Sequence, residues 1–378
     1  MKVIIDDKIP FIKNALELYA DVEYLAGNAI TRDKLKDADA IIIRTRTKCN
    51  TELLEGTKVK FIASATIGYD HIDTQYCEEK DIFWTNAPGC NSGSVLQYMT
   101  SALLFYARQK NIDLKDRVLG VVGVGNVGRK IVKLAEVLDM RVVLNDPPKV
   151  REEGLCGFIS LEGVLREADI ISFHVPLNMN GEDKTYHLAD TNFIEKMIDG
   201  SVLINTSRGE VVDTPALKSA LEKGKLSDAI IDVWENEPDI DTELLDRAIL
   251  ATPHIAGYSA DGKANGTKMA VRQFSRFFGL GLDEWEPDDI PQVNVSDIFC
   301  NGRNKSFQEI MTEICLQTYP IDLENIWLRD DHKQFEAYRG NYPVRREFFN
   351  YTVRVSNVKE EEINKLKRLG FKIKNSRD

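Results

Sequence analysis

Over the first 90 residues, short apolar runs alternate with amphipathic stretches. The runs at 3–5, 41–43, 61–65 and 82–84 predict strands, and 12–19 and 32–36 predict helices between them. Strands alternating with helices build a parallel sheet covered on both faces. Such open sheets bind ligands beyond the carboxyl ends of their strands. That rule directs attention to Arg44-Thr45-Arg46-Thr47 and Thr66-Ile67-Gly68-Tyr69-Asp70, the polar segments after two of the strands.

Pro88-Gly89 punctuates the chain before a helical stretch at 94–109, and a second alternating unit follows. Its strands are expected at 118–122, 142–144, 170–173, 202–204, 229–231 and 249–251, which suits a doubly wound, Rossmann-type sheet. A helix over 263–280 has the length to cross back to the first unit. The segment 282–291, with Asp283, Glu284, Glu286, Asp288, Asp289 and two prolines, reads as a linker. Beyond it the pattern changes to a strand at 351–355, a helix at 359–368 and a strand at 371–373, a small α+β module without a phosphate loop.

Composition narrows the classes. A chain of 378 residues suggests two or three domains, and 43% hydrophobic with 29% charged residues excludes a disordered or collagen-like chain. The net charge of −11 argues against general affinity for nucleic acid or anionic membranes, while leaving room for a local basic pocket. Cys49, Cys77, Cys90, Cys156, Cys300 and Cys315 show no C-x-x-C spacing, so no zinc or thioredoxin pattern is present and reduced, cytoplasmic thiols are expected. Cys90 is expected to be packed. The amino terminus meets Asp6 and Asp7 after three apolar residues, too short for a signal-peptide core, and no apolar run reaches the roughly 18 residues of a membrane span.

The segment 118–128 carries G-x-G-x-x-G at Gly123, Gly125 and Gly128. Gly123 permits a tight turn, Gly125 lets the backbone approach a pyrophosphate, and Gly128 lets a helix pack closely on the strand. The motif alone is weak. It gains weight from the strand before it, the helical pattern at 129–138 after it, and Asp146 ending the next strand. A carboxylate there accepts from both ribose hydroxyls and repels a 2′-phosphate, which favours NAD over NADP. The alternative for Asp146 is an acid that starts the Asp146-Pro147-Pro148 turn. Three further residues follow three successive strands: Arg208, Glu237 and His254. A histidine can take a hydroxyl proton near neutral pH, a carboxylate on its other nitrogen fixes the tautomer, and an arginine can hold a substrate carboxylate by paired bonds. Singly, each also reads as an ordinary loop residue.

With these pieces in place, the chain over about 3–280 resembles the D-isomer-specific 2-hydroxyacid dehydrogenase family. The matching segments are 123–128 with Asp146, His174-Val175-Pro176-Leu177, 204–213, 232–238 and 252–257. The resemblance implies an NAD-dependent oxidoreductase with Arg208, Glu237 and His254 as the catalytic set. It implies cofactor contacts from Gly123, Gly125, Asn126, Val127, Gly128, Asp146, Val175, Thr206, Ser207, Asp232 and Gly257. It further implies a flavodoxin-like substrate domain at 1–92 plus 257–285, an NAD-binding Rossmann domain at 93–256, and the active site in the cleft between them. Gln97 departs from the Glu that many members carry, and no catalytic consequence is expected from it.

Within the family, segments 44–48, 87–91, 146–148, 184–190 and 254–263, with the tail 341–347, are similar to members whose hydroxy-acid substrate carries a phosphate. Such a substrate needs local cations, and Arg44 and Arg46 would share one side of the chain if the strand continued that far. The resemblance adds Thr45, Thr66 and Tyr258 near substrate, with Thr45 in place of a commoner Ser. It also implies that 286–378 is a dimerisation domain, giving a homodimer in which Arg345 or Arg346 could reach the partner's cleft. An intramolecular ion pair of these arginines, for instance with Glu347, is equally open. No metal, nucleic-acid or membrane partner is expected. Three alternatives stand: a dehydrogenase for another D-2-hydroxy acid such as glycerate, a non-catalytic NAD-sensing binding protein, and a regulatory role for the C-terminal module.

Overall fold

The structure, a computed structural model, describes residues 1–154, 157–293 and 295–375, so Cys156 lies outside the described residues. The chain divides into two compact units, Met1–Asn91 with Tyr258–Gln292, and Ser92–Gly257 with Val293–Asp378.

The first unit holds β1 (Lys2–Asp6), β2 (Asp21–Leu25), β3 (Ala40–Ile43), β4 (Phe61–Ser64) and β5 (Phe83–Thr85) in the order β2-β1-β3-β4-β5, all parallel. This is the flavodoxin-like order. Alternate residues of the apolar runs serve opposite faces. Ile4, Ile41, Ile43 and Ile62 join one core cluster, and Val3, Ile5, Ile42 and Phe61 join another. The returning helix Ala260–Phe278 covers the second cluster, setting Phe274 edge-on to Phe61 at 5.6 Å. Ser259 caps this helix through the Gly262 N–H, and Gly279 ends it in the left-handed region.

Two expectations fail here. Residues 12–19 form successive turns instead of a helix. Phe11 and Asn14 have φ of 59° and 66°, and the Glu17 carboxylate accepts the Asn14 and Leu16 N–H groups that a helix would use elsewhere. Strand β3 also stops at Ile43 and a turn follows, so strand alternation does not relate Arg44 to Arg46.

The second unit holds β6 (Val118–Val122), β7 (Arg141–Asn145), β8 (Ile170–Phe173), β9 (Ser201–Asn205), β10 (Leu226–Ile231) and β11 (Leu250–Ala251). Their order is β11-β10-β9-β8-β6-β7, all parallel. The strand that a doubly wound sheet places beyond β7 is reduced to a single parallel bridge between Leu144 and Phe158. Direction reverses between β6 and β8, so the loops after these strands flank the switch point where such sheets bind ligands.

The C-terminal stretch adds a three-stranded parallel sheet of β12 (Asp297–Asn301), β13 (Thr352–Ser356) and β14 (Lys372–Asn375), in that order. Helices Phe307–Thr318 and Ile321–Asp330 lie in the same stretch. Leu328 and Phe335 enter the core under the second sheet, and Asn325 accepts the Ala251 N–H at 3.0 Å. Cys49, Cys77, Cys90, Cys300 and Cys315 are buried free thiols. Among the described residues no helix is long and apolar enough to cross a membrane.

Candidate active site

All strands of the second sheet run the same way, so their carboxyl ends share one edge. Gly123 follows β6, Asp146 follows β7, Val175 follows β8, Thr206–Arg208 follow β9, Asp232 follows β10, and His254 follows β11.

The glycine loop is shaped by close approach. Gly123 has φ +87°, and a Cβ there would stand 2.6 Å from the His174 carbonyl oxygen. A Cβ on Gly128 would stand 2.1 Å from the Gly123 oxygen, so the helix Gly128–Val137 presses on the turn. A Cβ on Gly125 would meet nothing within 4 Å, so this side of the loop faces open space. No side chain caps that helix at Val127, and its Arg129 and Lys130 amides bond back to the Gly125 and Val127 carbonyls. Thr206 adds a buried Oγ1 without a hydrogen-bond partner among the described residues. A cradle of open backbone at Gly125 beside this hydroxyl fits a dinucleotide's pyrophosphate. Asp146 caps the helix Pro147–Glu153 through the Lys149 N–H and accepts the Val124 N–H at 2.8 Å. It therefore also starts the turn, the plain reading of its sequence position, and ties that turn to the glycine loop. Asn126 and Gly125 are exposed, Val127, Val175 and Gly257 half-buried.

His254 and Glu237 meet, as their places after successive parallel strands suggested. His254 Nδ1 lies 2.8 Å from Glu237 Oε2, and the other oxygen, Oε1, accepts the Trp234 N–H at 2.9 Å. Burial alone would raise the Glu237 pKa, but His254 and the Trp234 amide hold it below the ordinary glutamate value. An ionised carboxylate only accepts, so Nδ1 carries a proton, and in the neutral ring Nε2 is the nitrogen that presents a lone pair. Arg208 is half-buried on a loop held by Asn205, whose Nδ2 donates to the Arg208 carbonyl and whose Oδ1 accepts from the Ser207 N–H and Oγ. Arg208 Nη1 donates to the Ser207 carbonyl at 2.8 Å.

Asp232 is 1% exposed and organises the His254 loop. Its Oδ1 accepts from Thr252 Oγ1 and the Ile255 N–H, and Oδ2 from the Ala256 N–H, all at 2.7–2.9 Å. Burial lifts its pKa above the ordinary aspartate value, against the pull of His254 and these bonds. Tyr98 reaches Thr252 Oγ1 at 2.7 Å, and Trp234 Nε1 donates to the Thr252 carbonyl. A further brace that the sequence did not suggest is His187, whose Nε2 lies 2.7 Å from Glu235 Oε1, with Asp213 beside the pair.

The residues expected near substrate in the first unit are Arg44, Thr45, Arg46, Thr66 and Tyr258. Arg44 Nη1 donates to the Lys8 carbonyl at 3.2 Å, while Thr45 and Arg46 are exposed. Thr66 Oγ1 pairs with Ser64 Oγ at 2.8 Å, and the Lys263 ammonium lies 4.7 Å from the centre of the Tyr258 ring.

The arginines of the tail turn inward. Arg345 and Arg346 are each 5% exposed. Arg345 Nη2 donates to the Ile255 and Ala256 carbonyls, and Arg346 Nη2 donates to Asn350. Gln97 is fully buried and its Nε2 donates to the Arg346 carbonyl at 2.9 Å. An ionised Glu at that position has no proton to give, so the departure from the family's common residue matches the presence of this segment.

Residues 99–256 match the family model described as D-isomer specific 2-hydroxyacid dehydrogenase, NAD binding domain, and residues 290–370 match a domain of unknown function. The chain is 50% identical over 355 residues to the erythronate-4-phosphate dehydrogenase of Bacteroides thetaiotaomicron, covering 93% of this chain and 99% of that one. It is 38% identical over 374 residues to the enzyme of the same name from Photorhabdus laumondii, covering 98% and 99%. Among solved structures, D-lactate dehydrogenase from Aquifex aeolicus with NAD and lactic acid superposes with a TM-score of 0.64 at 27% identity, over 75% of this chain and 97% of that one. The NAD⁺-bound 3-phosphoglycerate dehydrogenase of Entamoeba histolytica gives 0.64 at 26% identity, over 76% and 99%. The dinucleotide cradle, the His254–Glu237 pair and these likenesses agree: the chain belongs to the erythronate-4-phosphate dehydrogenase family of D-isomer-specific 2-hydroxyacid dehydrogenases.

Proposed function

We propose that this chain oxidises 4-phospho-D-erythronate at C2 to 2-oxo-3-hydroxy-4-phosphobutanoate, a step toward pyridoxal 5′-phosphate. The observation that carries this reading is the His254–Glu237 pair at 2.8 Å on the sheet edge that also bears the glycine loop and Arg208. Relatives of that name, 36–50% identical over nearly the whole chain, support the choice of substrate. NAD, held by 123–128, Asp146, Val175, Thr206, Ser207, Asp232 and Gly257, supplies the acceptor for the hydride that leaves C2.

The chain's own residues do the rest. His254 Nε2 takes the C2 hydroxyl proton, since Nδ1 is committed to Glu237. Glu237, ionised and anchored on the Trp234 amide, stabilises the imidazolium that results. Arg208 holds the substrate carboxylate by paired, charge-assisted bonds and draws electron density from the C2 oxygen as it becomes a carbonyl. Arg44 and Arg46, with Thr45, Thr66 and Tyr258, bind the phosphate end of the substrate, from 1–92 plus 257–285 acting as substrate domain. The protein works as a homodimer joined through 286–378. The buried free thiols suit a reducing, cytoplasmic setting.

The test is NADH formation with 4-phospho-D-erythronate, erythronate and D-glycerate side by side, with a 2-oxo acid present to reoxidise retained NADH. Strong preference for the phosphorylated acid is expected. Equal use of the unphosphorylated acids would overturn the substrate assignment, and NADH binding without any turnover would favour a sensor.

A further inference from the structure

His254 stands at φ +54° in the loop between β11 and the helix Ala260–Phe278. A histidine in the left-handed region persists only where its surroundings fix it. The N–H side of the loop is fixed from within the second sheet. The His254 amide donates to the Asp232 carbonyl at 2.6 Å, and the next two amides go to the Asp232 carboxylate. The carbonyl side is fixed from elsewhere in the sequence. Arg345, about 90 residues downstream, donates through Nη2 to the Ile255 carbonyl at 3.2 Å and to the Ala256 carbonyl at 2.6 Å. The two residues after His254 are thus gripped from both sides.

The Arg345 guanidinium is itself held. It lies 4.4 Å from the Tyr319 ring centre and 5.7 Å from that of Tyr342. Both tyrosine hydroxyls donate to Glu324, which is 5% exposed. Arg345 Nε and Nη1 have no hydrogen-bond partner among the described residues, so the side chain leaves donors unused while Nη2 serves two carbonyls. Burying a guanidinium is costly unless other contacts offset it, and here those contacts are the two loop carbonyls and the tyrosine rings.

We propose that Arg345 is a positioning residue for His254, holding the 255–256 turn by its carbonyls so that the imidazole stays seated on Glu237. The idea rests on the reading of His254 as the base. It makes the C-terminal segment part of the working site within one chain.

The experiment compares full-length Arg345→Met and Arg345→Lys with the unaltered chain, alone and in a His254→Ala background. Arg345→Met should lower kcat by about 10- to 100-fold, the scale of a small misplacement of a reacting group. Substrate KM and NADH affinity should stay within about twofold, because no substrate contact is removed. Arg345→Lys should recover most of the loss, since an ammonium still donates to the Ala256 carbonyl. In the His254→Ala background Arg345→Met should add no further loss. Hydrogen exchange at the Ile255 and Ala256 amides should quicken in Arg345→Met and not in Arg345→Lys. A multiplying loss without His254, a parallel fall in NADH affinity, or unchanged kcat and exchange would overturn the proposal. If the unaltered chain oxidises no 2-hydroxy acid, the base assignment fails instead, and the exchange rates alone decide whether Arg345 holds the turn.

Discussion

Glu237 divides its two oxygens between His254 Nδ1 and the Trp234 amide, which leaves one tautomer for the histidine. Asp146 likewise serves twice, as helix cap and as acceptor of the Val124 N–H. Replacing Asp146 with Ala should therefore relax discrimination against NADP and lower stability by about 1 kcal/mol through the lost cap. Paired cofactor kinetics and a thermal melt check both, and unaltered NAD preference would assign ribose reading to another residue. For Arg208→Lys, kcat/KM should fall by about 10- to 100-fold because an ammonium lacks the guanidinium's two parallel donors. A near-wild-type value in steady-state assays would contradict the carboxylate role. At this scale the sequence was informative wherever residue type and strand-end position coincide, as for Gly123, Asp146, Arg208, Glu237 and His254. It pointed to Arg345 but gave no sign that Arg345 and Asp232 hold the 254–256 turn, because a carboxylate or guanidinium choosing backbone partners 20 or 90 residues away leaves no local pattern.

Among the elements, the central strands β6, β8 and β9 of the second sheet were legible because both faces are buried and the runs are largely apolar. Strand β2 was missed, since Asp21–Leu25 reads DVEYL and is only half-buried at the sheet edge. The apolar spacing at 12–19 mimicked a helix, but Ile12, Ala15 and Leu16 reach the core from turns. The helices Phe307–Thr318 and Ile321–Asp330 and strand β12 gave no clear signal before the structure. Helix Ile321–Asp330 carries the most consequential buried acid. Burial pushes the Glu324 pKa from 4.5 up to about 7, against the pull of Arg345 and the two tyrosines. The folded chain then keeps a proton that the unfolded chain releases near pH 4.5. Stability contributed at this site therefore falls as pH rises from about 4.5 to about 7 and levels off above that. Glu324→Gln should remove this part of the slope, a difference of at most about 3 kcal/mol. Urea melts of both proteins at pH 5, 6, 7 and 8 measure it, and parallel slopes would contradict the buried proton.

Over the whole molecule, the C-terminal stretch concentrates the unspent apolar surface. Val295, Phe299, Leu323, Ile326, Val344 and Phe349, six of the fourteen exposed large hydrophobics among the described residues, lie in it. Phe299 is 66% exposed on β12, an edge strand. Exposed apolar side chains beside a free edge suit a protein interface. With the homodimer proposed above, Phe299→Lys should shift sedimentation velocity from dimer to monomer, and an unchanged dimer would place the interface elsewhere. The central claim remains that His254, seated on Glu237, takes the substrate proton. Turnover of 4-phospho-D-erythronate by His254→Asn, with NADH affinity measured on the same sample, tests it most directly. The account predicts a kcat about 10²- to 10⁴-fold lower with NADH affinity within about twofold. A kcat equal to that of the unaltered chain would contradict it.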